Sequence, residues 1–503
     1  VSIFQIDVEQ ERDLLLENTT SICPECKIKL PAQLLQRDNR VILRKQCPSH
    51  GNFEALVYGD AAMFRSIAPF NKPGVPARKF VARVERGCPW DCGLCPEHGQ
   101  HMCLGIIEVN SKCNLACPLC LADSDGPGSH STGFELNKDQ VSYMLDKFVE
   151  TEDQPEVVQF SGGEPSLHPQ ILEFIELAMG RGISYVMLNT NGIRIARDDR
   201  FLEGLAKLKP HLYLQFDGFD PQTNLALRGR ADLLETKLKA LDRLAEADLR
   251  VVLVPVIEHQ VNEHEVGRIV EFAIRHPAVF GISFQSAFHA QRYLPVNPLN
   301  RITAPDILKA IEAQTHGLLR QEDFVPIPCC APSCGVATYA FLTEERVIPI
   351  PRLIPVNRYL NYITNRTMPD LDQSLLHLLE KLWSSGAKVG ADQATRFILE
   401  ALVRAKVPIQ MPEPDWTGER CSSCHLGLSL EHHSTRDLGR HIFMISVRDF
   451  MDPYNFNIKD IHKCCIGVLQ PDGRAVPFCA YNSLGYREST LRHLKVDPNW
   501  MGG

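Results

Sequence analysis

This chain has no apolar run long enough to cross a bilayer; its longest, such as residues 251–257, are the size of a buried strand. Positive charge is also in short supply. Fifty-three Lys and Arg face 61 Asp and Glu, and the net −8 argues against a general nucleic-acid binder. The basic residues Arg78, Lys79, Arg83 and Arg86 are too local to reverse that reading. Nothing at the start resembles a leader, because VSIFQIDVEQERDLLLE places acids where a signal peptide has a basic end and an apolar core. Low-complexity tracts are missing, as are internal repeats apart from recurring cysteine pairs. These absences predict a cytoplasmic globular protein, and 503 residues of ordinary composition suggest two to four domains.

One further absence organises the rest: none of the 18 cysteines lies between 120 and 329. They fall at 23/26/47, 88/92/95/103, 113/117/120, 329/330/334, 421/424 and 464/465/479. A cytoplasmic chain keeps thiols reduced, so tight spacing of this kind points to metal rather than disulfides. The cysteine-free stretch instead alternates short apolar runs with amphipathic segments. Strand candidates are 105–109, 157–160, 185–188, 212–216, 251–257 and 281–285. Val141, Met144, Leu145 and Phe148 recur at helical spacing after Asn137, a plausible N-cap, and further helices are expected at 169–180, 231–248 and 263–276.

Six such β-then-α units predict an α/β fold, a partial (β/α)6 TIM-like barrel with functional loops at the strands' C-terminal ends. The expected layout is a rubredoxin- or zinc-ribbon-like module over 1–75, a cysteine-rich segment over 76–104 and the barrel over 105–300. A C-terminal extension over 301–503 then carries helices at 373–383 and 393–405 and an auxiliary iron–sulfur centre.

The first barrel strand leads directly into Cys113-Asn-Leu-Ala-Cys117-Pro-Leu-Cys120. Three close thiolates on a four-iron cubane leave one iron open to an outside ligand. This spacing resembles the radical S-adenosylmethionine (SAM) superfamily, in which SAM chelates that iron. One electron from the cluster then cleaves the sulfonium, and the 5′-deoxyadenosyl radical formed abstracts hydrogen from unactivated carbon. A zinc knuckle or a fully ligated ferredoxin cluster is the competing reading of the triplet alone.

The second strand ends in Ser161-Gly162-Gly163-Glu164-Pro165, similar to the superfamily's GGE motif. Glycines there allow close backbone approach to a ligand, and Glu164 can anchor the methionine ammonium. Thr190, in Leu188-Asn-Thr-Asn-Gly192, stands where relatives place a SAM-contacting hydroxyl. Gln215 stands where they often have a ribose-binding serine, a departure that puts its role in doubt. Arg228, in Leu227-Arg-Gly229, resembles an arginine that pairs with the SAM carboxylate. His168 reads as a structural loop residue, while His259 and His289 are placed at the rim of the barrel.

Cys23-x2-Cys26 with Cys47-x2-His50 has the spacing of a tetrahedral Cys3His site for zinc, or for iron in a rubredoxin-like setting. Cys88-x3-Cys92-x2-Cys95 repeats the catalytic spacing but precedes no strand–GGE unit, and Cys103 offers it a fourth thiolate; zinc is its alternative occupant. Cys421, Cys424 and Cys479, with Cys465 in preference to its neighbour Cys464, form the last expected cluster. Cys329, Cys330 and Cys334 are open to three readings: metal ligands, cavity lining or buried thiols.

The run Cys88-Pro-Trp-Asp-Cys92-Gly-Leu-Cys95-Pro-Glu-His98-Gly-Gln-His101 leads straight into the catalytic triplet. With Cys464-Cys465, Pro471-Asp-Gly-Arg and Pro477-Phe-Cys479-Ala-Tyr-Asn482, it resembles the tetraether lipid synthase family over nearly the whole chain. That resemblance implies three [4Fe-4S] clusters, one catalytic and two auxiliary, and one mononuclear metal. It also implies radical coupling of the terminal carbons of two long lipid chains, peripheral contact with a membrane, and a reductant such as ferredoxin or flavodoxin. Relatives were also proposed to methylate a pterin precursor, so the alternative is a radical SAM methylase of a pterin, other small molecule or peptide. A multi-centre iron–sulfur electron carrier is the non-enzyme alternative, disfavoured because a carrier has no use for a SAM pocket.

Overall fold

The computed structural model describes residues 13–125, 133–152, 155–183, 185–289, 292, 297–342, 347–353 and 442–502. Four antiparallel strands open the chain: β1 (Leu14–Ile22), β2 (Lys29–Arg37), β3 (Arg40–Cys47) and β4 (Gly51–Tyr58), paired in sequence order. This ribbon docks on the late chain. The Lys45 ammonium donates to Ser21 Oγ at 3.0 Å and to the Pro453 carbonyl at 2.9 Å, and Ser21 Oγ donates to the Phe456 carbonyl. Burial pushes the Lys45 ammonium down to about 7.

A 13-stranded sheet forms the body. Its centre is β5 (Leu104–Asn110), β6 (Val157–Gly162), β7 (Tyr185–Thr190), β8 (His211–Gln215), β9 (Val251–Val254) and β11 (Val279–Ser286), all parallel neighbours in sequence order. The expected strand at 251–257 is divided at Pro255, which has no N–H for the ladder. The two residues beyond it, β10 (Val256–Ile257), continue the pairing along β11. Helices α2 (Lys138–Glu152), α3 (Ile171–Met179), α4 (Asp199–Leu208), α5 (Pro221–Arg228), α6 (Leu233–Glu246) and α7 (Val266–Arg275) occupy the connections; α1 (Ala61–Ile67) follows the ribbon. Val141, Met144, Leu145 and Phe148 of α2 are buried, and Asn137 Oδ1 accepts the Gln140 N–H at 3.0 Å. Phe160, Phe174, Leu188, Phe201 and Leu241 belong to the continuous core between sheet and helices.

A division at residue 300 does not separate a module from this sheet. β12 (Val325–Pro326), β13 (Gly335–Leu342), β14 (Val347–Pro349) and β15 (Ile442–Arg448) extend one side, with β15 parallel to β11 and antiparallel to β13. On the other side β16 (Ile466–Leu469) pairs parallel with β5, and β17 (Ala475–Pro477) pairs antiparallel with β16. Late segments thus complete an early sheet, because β5 and β11 would otherwise leave open ladders. The helices expected at 373–383 and 393–405 lie outside the described residues.

Candidate active site

A cavity of about 290 Å³ lies against one face of the sheet, lined by alternate residues of successive strands. Cys113, Cys117 and Cys120 all line it. So do Gly162, Gly163, Glu164, Thr190, Gln215 and Arg228, whereas Pro165 starts a buried turn behind them. The loop after β5 therefore meets the ends of β6, β7 and β8 around one space. Cys113 is pushed up to about 12 by burial, with Glu164 and the other two thiols adding to the effect. Burial raises Cys117 too, against the pull of the Arg228 guanidinium. Thiols crowded into so dry a place ionise only beside a strong cation, so the donor set fits an iron–sulfur cluster.

Close approach by the two glycines is made to the cluster loop rather than to a ligand. Gly163 N–H donates to the Asn110 carbonyl at 2.8 Å, and Glu164 N–H to the Lys112 carbonyl at 2.7 Å. A Cβ on Gly163 would sit 2.3 Å from the Lys112 carbonyl oxygen. Gly162 has φ +124°, and a Cβ there would sit 2.4 Å from the Asn110 carbonyl oxygen. Gly163→Ala is expected to push the GGE turn off the residue preceding Cys113 and to reduce SAM cleavage on the order of a hundredfold, as ångström-scale misplacement does. Product 5′-deoxyadenosine formed per minute by the reconstituted variant checks this.

Glu164 is 2% exposed, and its carboxylate accepts Thr190 Oγ1–H at 2.6 Å, Asn191 N–H at 2.7 Å and Ser166 N–H at 3.1 Å. Thr190 therefore acts on Glu164. Both ends of the Gln215 amide are engaged: Oε1 accepts from Lys237 Nζ at 2.6 Å, and Nε2 donates to Asp217. Arg228 gives its fork to Asp217, with Nε at 2.6 Å and Nη2 at 2.7 Å, and lines the same cavity as the Cys117 thiol. Two arms of the Arg228 fork, in the wall of the cavity, are thus held by an acid.

Asp217, Lys237, Asn191 and Arg292 are site residues that sequence reasoning missed. Lys237 is buried on α6, donates also to the Asn191 carbonyl at 2.5 Å, and is pushed down to about 8 by burial. Asn191 Nδ2 donates to Asn114 Oδ1 at 2.6 Å, tying the β7 turn to the cluster loop. Arg292 reaches the Cys117 carbonyl at 3.4 Å and Asp123 at 2.9 Å. His168 is buried and bonded to the Leu136 carbonyl at 2.9 Å, in keeping with a structural place. His259 pairs with Glu263 and His289 with Glu258, and neither lines the cavity.

The remaining cysteines are grouped differently from the sequence expectation. Cys23, Cys26, Cys47 and His50 converge, with contacts of 3.5–3.8 Å, the edges of a tetrahedron around one metal ion. Cys103 does not complete the Cys88–Cys92–Cys95 set. It joins Cys329 and Cys465, whose sulfurs are 3.3 Å apart, and Cys330 packs with them. Cys465 is thereby separated from Cys479, which shares its surroundings with Cys464 and Cys334. Neighbouring residues on an extended segment point to opposite sides, which sends Cys464 and Cys465 apart. Cys421 and Cys424 lie outside the described residues. The Cys88 thiol is drawn down to about 6, first by its bond with Cys92 and, against burial, by His462.

Comparisons with known proteins bear on this arrangement. Residues 107–273 match the Radical SAM superfamily, and residues 15–59 match the HMPTM N-terminal zinc ribbon domain. The chain is 32% identical over 505 residues to a 7,8-dihydro-6-hydroxymethylpterin dimethyltransferase of Methanocaldococcus jannaschii, covering 94% of both chains. The chain belongs to the radical SAM superfamily, in the family of that protein. A GTP 3′,8-cyclase of Chlorobaculum tepidum is 32% identical over 173 residues, 34% of this chain and 49% of its own. Streptococcus suis SuiB bound to S-adenosylmethionine aligns with 43% of this chain and 47% of its own at 18% identity and a TM-score of 0.34. As a radical SAM protein the chain uses SAM and a [4Fe-4S] cluster and requires a reductant, and its further cysteine groups fit auxiliary clusters and a metal site. The expected coupling of lipid chains is overturned, because the near-full-length relative is named for methylating a pterin. Among the described residues no helix is long and apolar enough to cross a membrane.

Proposed function

We propose that this protein is a radical SAM methyltransferase acting on a reduced pterin of the 7,8-dihydro-6-hydroxymethylpterin class. The relative of matching length carries this reading, since both chains align over 94% of their residues. The cavity supports it. At about 290 Å³ it is of the order of a small-molecule site rather than a conduit for lipid tails. Gln159, Asn189 and Gln285 offer amides able to read the donor and acceptor edge of a pterin, while Tyr213, Tyr339 and Phe478 offer ring faces.

In this reading the six central strands are the partial barrel, and Cys113, Cys117 and Cys120 hold the catalytic cluster. Bound there, cluster and SAM would supply radical abstraction of hydrogen from carbon lacking an acid–base handle. The protein's own part is positional. Glu164, fixed by Thr190, Asn191 and Ser166, presents a buried carboxylate for the methionine ammonium. Arg228 and Arg292 hold the cluster loop. Gly162 and Gly163 seat the turn that carries Glu164.

The test is anaerobic incubation of the reduced, reconstituted chain with SAM and 7,8-dihydro-6-hydroxymethylpterin. The expected result, for each methyl group added, is 5′-deoxyadenosine and methionine from one SAM, S-adenosylhomocysteine from a second SAM that gives the methyl, and a pterin heavier by one methylene unit, by mass spectrometry. Deoxyadenosine without a changed pterin would discard the substrate but keep the chemistry; neither product would discard both.

A further inference from the structure

With Cys103 committed elsewhere, the thiols of Cys88, Cys92 and Cys95 need another fourth partner. They line a small depression whose far side is Ile461 and His462. His462 follows the short helix Ile458–Ile461 and shares the depression with the Cys88, Cys92 and Cys95 side chains. We infer that His462 is the fourth protein ligand of a second iron–sulfur cluster held by Cys88, Cys92 and Cys95.

Other polar groups in the depression have work of their own. Asp91 Oδ2 accepts three backbone N–H groups, from Glu85, Arg86 and Gly87, at 2.5–2.8 Å. Glu97 Oε2 accepts the Cys88 N–H at 2.9 Å. His98 Nε2 is bonded to the Cys464 carbonyl at 2.8 Å. His462 is the remaining imidazole of that depression.

Its place is fixed by the main chain. Gly99 N–H donates to the His462 carbonyl at 2.8 Å, and Leu104 N–H to the Cys465 carbonyl at 3.1 Å. Together with the His98–Cys464 bond, these lay residues 462–465 along residues 98–104. One four-residue segment thereby gives His462 to the Cys88 group and Cys465 to the Cys103–Cys329 group, and its next residue, Ile466, lines the active-site cavity. The repeated Cys-x3-Cys-x2-Cys spacing favours a cubane over a single ion, because the same spacing serves the catalytic triplet. A neutral imidazole in place of a thiolate leaves the cluster one negative charge poorer, which raises its reduction potential. Its identity as a ligand does not depend on which substrate the enzyme methylates.

The test uses the full chain, anaerobically reconstituted and reduced without SAM, so that SAM's amino nitrogen cannot contribute. Pulsed electron paramagnetic resonance should show a directly bound nitrogen that changes when histidine is labelled with nitrogen-15. His462→Cys should keep iron and sulfide, lose that nitrogen coupling and shift one cluster to a more negative potential. His462→Ala should lose up to one cluster's iron while ribbon zinc is retained. Should His462→Ala fail to fold, His462→Cys decides alone. Absence of a histidine nitrogen, an unchanged potential in His462→Cys, zinc at this site, or iron loss in Glu97→Gln but not in His462→Ala would each overturn the inference.

Discussion

Cys117→Ala is expected to lose one cluster's worth of iron and to bring SAM cleavage below detection, while zinc in the ribbon and iron in the auxiliary centres remain. The middle thiol of the triplet is the one most closely tied to the rest of the site. The Arg228 cation lies close enough to its thiol to oppose the effect of burial, and Arg292 donates to its carbonyl. The side chain itself is a ligand, and two thiolates cannot hold a cubane with one iron open for SAM. The Cys88 triplet has the same spacing, so the variant also separates the two candidates: it lines a different depression, remote in the chain from Glu164 and Thr190. Iron and sulfide analysis and assay of 5′-deoxyadenosine check this. Retained cleavage in Cys117→Ala would assign the chemistry to the other triplet.

The six central strands were legible because buried parallel strands are short apolar runs with little competing signal, and boundaries differ by one or two residues at most positions. α2 was equally plain, its four apolar residues all facing the core. Helices α4 and α5 passed unread although Asp198 and Asp220 cap them in the usual way, each accepting a backbone N–H of the first turn. α4 sets Phe201 and Leu205, four residues apart, into the core, whereas Leu227 is the one large apolar residue that α5 buries. What the sequence could not show is pairing across long separations. That β15 closes on β11 and β16 on β5 depends on strand edges, which leave no mark in local composition.

The same limit governs the site. The cysteine triplet and the GGE turn could be placed from sequence because each lies at the C-terminal end of a strand, β5 or β6. Grouping the remaining cysteines by proximity in sequence went astray, since Cys103, Cys329 and Cys465 come from three distant segments. Residues such as Lys237 carry no local signature. A lysine on a helix reads as a solvated charge until α6 is seen to bury it behind β8. The lipid reading failed for another reason: motifs shared across a family of multi-cluster enzymes describe how a radical is made, whereas the substrate is chosen by the cavity.

Asp217→Ala should cost roughly 3–5 kcal/mol of stability, because it strands a buried arginine without its counter-charge. Asp217 is fully buried at its side chain and Arg228 only 10% exposed. The carboxylate accepts both arms of the Arg228 fork, the Val256 N–H at 3.0 Å and the Gln215 amide. Removing it frees donors from β8, α5 and β10 together. The Arg228 cation is held strongly protonated by Asp217, against burial, and cannot escape by losing its proton at any ordinary pH. The loss should therefore persist across the neutral range rather than fade with pH. Chemical denaturation of the reconstituted chain measures it. Asp217→Asn should recover part of the loss through the amide oxygen. Pairing Asp217→Ala with Arg228→Met should restore more of it, since removing both charges relieves the stranded cation. Stability can return in that double variant without activity, because Met brings no positive charge to Cys117. A double variant as unstable as Asp217→Ala alone would mean that the carboxylate serves the backbone of β10 rather than the arginine.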